Sequence, residues 1–233
     1  MGDRYWLWTG ARLLVAVAIV AWAGSYLGTG SGEKDFQKTL DAMKQVHSFR
    51  ASLSANPGTQ RDEALWEVDC SRDLLHHQMH FTDTSINPPA EMSRDETVIA
   101  GREYDRKGDG SWSPPQYGYG MSGGSAASFC RKLAQGTDTN LLPEIATMIR
   151  RGIIQKGDKK TVNGVRCREY LVTMKGGTSG LEHDTVCIGL EDRLPYELTV
   201  DWAHSRFSFS DYNASLQIDV PEGALKPASS ISN

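Results

Sequence analysis

The chain has 233 residues, a net charge of −4 and 39% hydrophobic residues. That is long enough for one domain with a sizeable core, and neither half is basic enough to bind nucleic acid by neutralising phosphates. The 23 glycines follow no short period, which excludes a fibrous repeat.

At the N-terminus, Arg4 and Arg12 precede the uncharged run Leu13 to Ala23, and Ala21-Trp22-Ala23 has small residues at both positions a signal peptidase reads. Extended to Leu27, the run holds about 15 apolar residues, short of the roughly 20 a spanning helix prefers. Two outcomes stay open: cleavage after Ala23, or an uncleaved anchor with Tyr5, Trp6 and Trp8 at the interface. Residues 1–23 are therefore a signal peptide or membrane anchor, and either predicts export to the cell envelope. Residues 24–32, rich in glycine and serine, read as a flexible linker ahead of a folded domain at 33–223, with 224–233 a disordered tail.

Phe36, Leu40, Met43 and Val46 recur at helical spacing and predict an amphipathic helix from Glu33 to about Phe49. Arg50–Ser54 reads as a first strand. Alternation then predicts a hairpin, with Ala64, Trp66, Val68 and Cys70 on one face of its first strand. Its second strand has Leu75, His77, Met79 and Phe81 on one face and His76, Gln78 and His80 on an exposed polar face. Glu96–Ala100 and Glu103–Lys107 form the next pair, turning at Gly101. Residues 113–124 are irregular, and two short helices follow at Ala126–Gln135 and Leu142–Arg151. Strands resume at Ile153–Lys156, Val165–Met174 and Thr185–Leu190. In the closing stretch, Tyr196, Leu198, Val200 and Trp202 alternate with polar residues, as do Phe207 and Phe209, and Leu216, Ile218 and Val220. Short polar connections make these neighbouring antiparallel strands. The order is α+β, with helices collected on one side of an antiparallel sheet.

Four cysteines in an oxidising compartment suggest two disulfides. Three connectivities are possible. Cys167 and Cys187 flank a predicted hairpin and are paired here, which leaves Cys70 with Cys130 and a loop of about 60 residues, worth on the order of 4 kcal/mol. No metal site is expected, because His76 and His80 on a strand sit about 13 Å apart. Gly120-Met121-Ser122-Gly123-Gly124 matches the nucleophile-elbow spacing, with Asp184 and His204 in the matching order. The proline- and glycine-rich residues before it cannot form the central strand such an elbow needs, so no enzyme and no cofactor are expected.

The run Leu40 to Leu53, the Leu65-Trp66 hairpin, Glu96 to Trp112 with its Gly-Arg-Glu-Tyr turn, and the close from Phe209 to Gly223 resemble the LolA-type lipoprotein carriers. Their wider superfamily includes the RseB-like sensors and the mycobacterial LppX/LprG lipoproteins. The four cysteines and the linker depart from that pattern. The resemblance implies a curved antiparallel sheet forming an incomplete β-barrel covered by helices, around an apolar cavity. It also implies a non-catalytic carrier of lipid or lipoprotein acyl chains, with an inner-membrane donor or outer-membrane acceptor protein as partner. Trp66, Val68, Met79, Phe81, Leu198, Val200, Trp202, Phe207 and Phe209 are the candidate lining. The alternative is a membrane-tethered envelope sensor or interaction module on the same fold.

Overall fold

The computed structural model describes residues 32, 34–56, 58–117, 125–135, 153–175, 181–222 and 224. The expected signal segment, linker, helix at 142–151 and Gly120–Gly124 motif lie outside the described residues, as does the expected tail beyond 224. Among the described residues, no helix is long and apolar enough to cross a membrane.

Helix α1 covers residues 34–43 and is shorter than its apolar spacing predicts. Bonds from Gln45 N to Ala42 O and from Val46 N to Met43 O tighten its last turn and stop it. The chain then enters β1 (Ser48–Ala55), because Ser48 already pairs across to Asp69. Strands β2 (Gln60–Asp69), β3 (Leu74–Asp83), β4 (Ala90–Ile99), β5 (Arg102–Asp105) and β6 (Gln116–Tyr117) continue as a meander. Helix α2 (Ala126–Gln135) follows. A second meander comprises β7 (Ile153–Val162), β8 (Val165–Lys175), β9 (Leu181–Gly189), β10 (Pro195–Val200) and β11 (Ser205–Ser210).

Side-chain and backbone chemistry at the turns fixes the register. Asp69 Oδ1 accepts from Ser71 N, Ser71 Oγ and Arg72 N and so closes the β2–β3 turn. Ala100-Gly101 and Asn163-Gly164 are two-residue turns with positive φ at both positions, the geometry that matches strand twist. The Asn163-Gly164 turn carries β7 to Val162, well past the Lys156 expected from alternation.

All neighbours are antiparallel, in the order β6-β5-β4-β3-β2-β1-β11-β10-β9-β8-β7. The β1–β11 ladder, from Arg50 opposite Ser210 to Ala55 opposite Ser205, joins the two meanders into one open sheet. Edge strand β7 is protected by Lys156, Lys159 and Lys160 and by a register shift between Lys156 and Lys159.

One face carries the main core, in which Phe36, Leu40 and Met43 of α1 and Ala126 and Phe129 of α2 meet apolar side chains of the sheet. Tyr170 packs edge-on to Phe36 and donates to Asp35 Oδ2 at 2.8 Å, which seats α1 over β8. Helix α2 sits at the β2–β3 turn: Cys130 is bonded to Cys70, and Asp73 Oδ1 accepts from Ala127 N. Cys167 and Cys187 form the second disulfide, diagonally across β8 and β9.

The third strand expected in the closing stretch is absent. After Ser210 the chain runs flat across the opposite face, where Leu216 and Ile218 are buried against Leu74, Ile99 and Tyr104. The same alternation that suggests a strand gives this segment one side to bury. Its carbonyls are met by Ser48 Oγ at Ala214, Arg72 Nη2 at Leu216 and Thr97 Oγ1 at Asp219. Leu216 is 2% exposed, so Leu216→Ala is expected to cost about 2–4 kcal/mol in urea unfolding. A loss below about 0.5 kcal/mol would mean that this segment is not part of the packed structure.

Candidate functional site

The register lays the helix-side face out in rows. One row runs Phe49, Val68, Leu75, Val98, Glu103, and the next runs Phe209, Ala51, Trp66, His77, Glu96, Asp105. A third runs Leu198, Phe207, Leu53, Ala64, Met79, Arg94, and a fourth includes Asp62, Phe81 and Met92. Apart from the buried Asp184 opposite Val200, the face is thus apolar across β9–β11 and β1, and it becomes charged at β4 and β5.

All the strand positions proposed from sequence lie on this face, but in different surroundings. Val68, Leu198, Val200, Phe207 and Phe209 are buried in the cluster shared with α1 and α2. Trp66, Met79 and Phe81 are only partly buried, Leu53 and Ala64 likewise, and Met92 is 54% exposed. Trp202 leaves the strand pattern, because β10 ends at Val200 and Asp201–Ala203 is a 3-10 turn. Its side chain is outside the described residues.

The opposite face bears a groove of about 890 Å³. Ser52, Ser54, Glu63, Gln78, His80 and Ser208 contribute to its floor, and Leu53, Ala64 and Met79 of the helix-side rows also border it. The expectation of an exposed His76 is corrected here. His76 is buried, held between Glu67 Oε2 and Asp95 Oδ1 at 2.9 Å each, and the ladder to β4 supplies the second carboxylate. Glu197, one of the polar residues that alternate with Tyr196 and Leu198, is buried and paired with Lys160 and Arg206. His204 is exposed in a left-handed turn at φ 45°, and Asp184 is buried on β9.

Sequence reasoning missed the charged end of the helix-side face. Period-two spacing from Val98 puts Arg94 and Glu96 beside it, and the Gly101 turn brings Glu103 and Asp105 across from them. The carboxylates of Glu96, Glu103 and Asp105 lie within 4.8 Å of one another, close enough to share a cation. Arg94 takes that place and contacts all three. His77 stacks on Trp66 with ring centroids 4.9 Å apart and turns Nδ1 to Glu96 Oε1. Burial and then the nearby Glu96 charge push the Glu103 carboxyl above its ordinary range. The folded state therefore binds a proton at Glu103 more readily than the unfolded chain does, and stability from this group declines as pH rises above the usual carboxylate range. Unfolding of Glu103→Gln and the unmodified protein at pH 4, 5.5 and 7 is expected to show the variant gaining ground as pH rises. The opposite trend would remove the account of this cluster.

No family model and no curated protein matches the sequence. Among solved structures, LprF from Mycobacterium bovis is similar at 13% identity, with a TM-score of 0.56 over 83% of this chain and 98% of that one. MucB in the Pseudomonas aeruginosa MucA/MucB complex is similar at 12% identity with a TM-score of 0.42, and the chain spans 59% of its length. The LolA superfamily protein NE2245 from Nitrosomonas europaea gives a TM-score of 0.26 at 10% identity. Likenesses as low as the last two carry no argument. The likeness to LprF agrees with the sequence resemblance, and the chain has the LolA-like fold: an open antiparallel sheet with helices against one face.

Proposed function

We propose that this protein is an exported, non-catalytic carrier that binds lipid or lipoprotein acyl chains on the helix-side face of its sheet. The observation that carries this reading is the division of that face. The apolar surface under α1 and α2 continues, without a change of side, into Leu53, Ala64, Trp66, Met79 and Phe81, which are only partly buried. An acyl chain laid there extends the core instead of competing with it. The residues under the helices, Leu198 and Phe209 among them, then support the floor, while Trp66, Met79 and Phe81 contact the chain. The LolA-like fold adds weight, since the resemblance read from the sequence implies a ligand on this side.

A second reading, a membrane-tethered interaction module, is favoured by the groove on the opposite face, where Ser52, Gln78, His80 and Ser208 offer a protein a polar surface. Retention of residues 1–23 in the mature protein is its requirement, and N-terminal sequencing decides it.

The carrier reading is tested by displacement of a fluorescent acyl probe from delipidated protein. Each added methylene should gain about 0.8 kcal/mol, so affinity should rise about fourfold per carbon across a chain-length series. Met79→Glu places a charge on the acyl face and is expected to weaken binding by at least about tenfold. Ser208→Glu, in the opposite groove, should leave it unchanged. Absence of acyl binding, or sensitivity to Ser208→Glu with indifference to Met79→Glu, would overturn the proposal.

A further inference from the structure

The helix-side face ends at β4 in a buried acceptor to which the described residues supply no donor. His77 is 2% exposed, and its Nδ1 stands 3.2 Å from Glu96 Oε1. A carboxylate only accepts, so Nδ1 carries the hydrogen, and in the neutral ring Nε2 is left as an acceptor. That Nε2 is buried and has no hydrogen-bond partner among the described residues. Glu96, with a side chain 0% exposed, differs: Arg94 Nη2 meets its Oε2 at 2.9 Å in an ion pair. Folded proteins leave few buried polar atoms in the state of His77 Nε2, and each calls for a reason.

Placement supplies one. Nε2 lies beyond Nδ1 on the imidazole, so with Nδ1 turned toward β4 it forms the tip of a side chain standing on the helix-side face against Trp66. Trp66 is also where the apolar surface offered to an acyl chain meets the charged end. An amphiphile whose tail lies over Met79 and Trp66 brings its head to this corner.

We propose that His77, beside Glu96, forms the head-group subsite of the acyl site, and that the subsite takes a hydrogen-bond donor, a hydroxyl or an N–H, onto His77 Nε2. This rests on the acyl-carrier reading and adds to it the chemistry of the head. An anionic head is refused. Arg94 already serves Glu96, Glu103 and Asp105, so a further carboxylate meets an excess of negative charge. Bringing a donor to the corner relieves the unmet His77 Nε2 and leaves the Arg94 contacts in place.

Four ligands with the same fourteen-carbon chain separate the possibilities on the unmodified protein: 1-monomyristoylglycerol, myristamide, methyl myristate and the myristate anion. Donor-bearing heads should bind about five- to tenfold tighter than the methyl ester, which has none, and the anion should bind more weakly than either. A gain for the glycerol compound alone assigns the subsite to hydroxyls, and a gain for the amide alone assigns it to N–H groups. His77→Phe combined with Glu96→Gln keeps a ring on Trp66 and avoids a stranded charge. It should bring the affinities of 1-monomyristoylglycerol and myristamide to within about threefold of that of methyl myristate. Equal binding of the ester and the donor-bearing ligands by unmodified protein, or tightest binding of the anion, overturns the subsite and leaves the carrier reading standing. If no ligand binds, the carrier reading falls and the subsite with it.

Discussion

The ladder between β1 and β11 is the constraint on which the molecule depends. Each meander alone is a sheet with one apolar face and two edges. Pairing Arg50 through Ala55 with Ser210 through Ser205 makes the two faces continuous, so that Phe209, Ala51 and Trp66 stand in one row. Because side chains alternate with a period of two, the ladder also decides what shares a side. A slip of one residue would send Phe207 and Phe209 to the groove and carry Ser208 under the helices.

That continuity brings polar chemistry into an apolar surface. The row that begins at Phe209 ends at His77, Glu96 and Asp105, and the next ends at Arg94. Burying two carboxylates, with the half-buried Asp105 beside them, against one guanidinium is costly unless geometry and hydrogen bonds compensate, and breaking such a set leaves an uncompensated charge. The protein keeps this arrangement at the end of the face where the described helices give least cover. The opposite face handles its charges differently, with Glu67, His76 and Asp95 linked in a chain and Glu197 between Lys160 and Arg206.

Much of the fold is legible wherever one side of a strand meets the core and the other meets polar surroundings. β2, β3, β10 and β11 alternate for that reason, and the hairpin positions of Cys167 and Cys187 lead to both disulfides. Alternation cuts β7 short because Gly157 to Lys160 has no apolar side. Its partner β8 and the Asn163-Gly164 turn make it a strand, and that dipeptide is the available signal. Leu216 and Ile218 alternate like strand residues, yet they cover the far face as an unpaired segment, a distinction that side-chain pattern cannot make. The charged end is hidden for a different reason. Arg94, Glu96, Glu103 and Asp105 look solvated in sequence, and only the ladders between β3, β4 and β5 place them on the face that holds the core.

The central claim is that an acyl chain lies on the helix-side face at Leu53, Trp66 and Met79. The most direct measurement is nuclear magnetic resonance of the protein loaded with an acyl chain that carries a nitroxide at its middle. The account predicts that the nitroxide broadens the Met79 methyl, Trp66 indole and Leu53 methyl signals most strongly. Strongest broadening at Gln78, His80 and Ser208, on the far face, would contradict it.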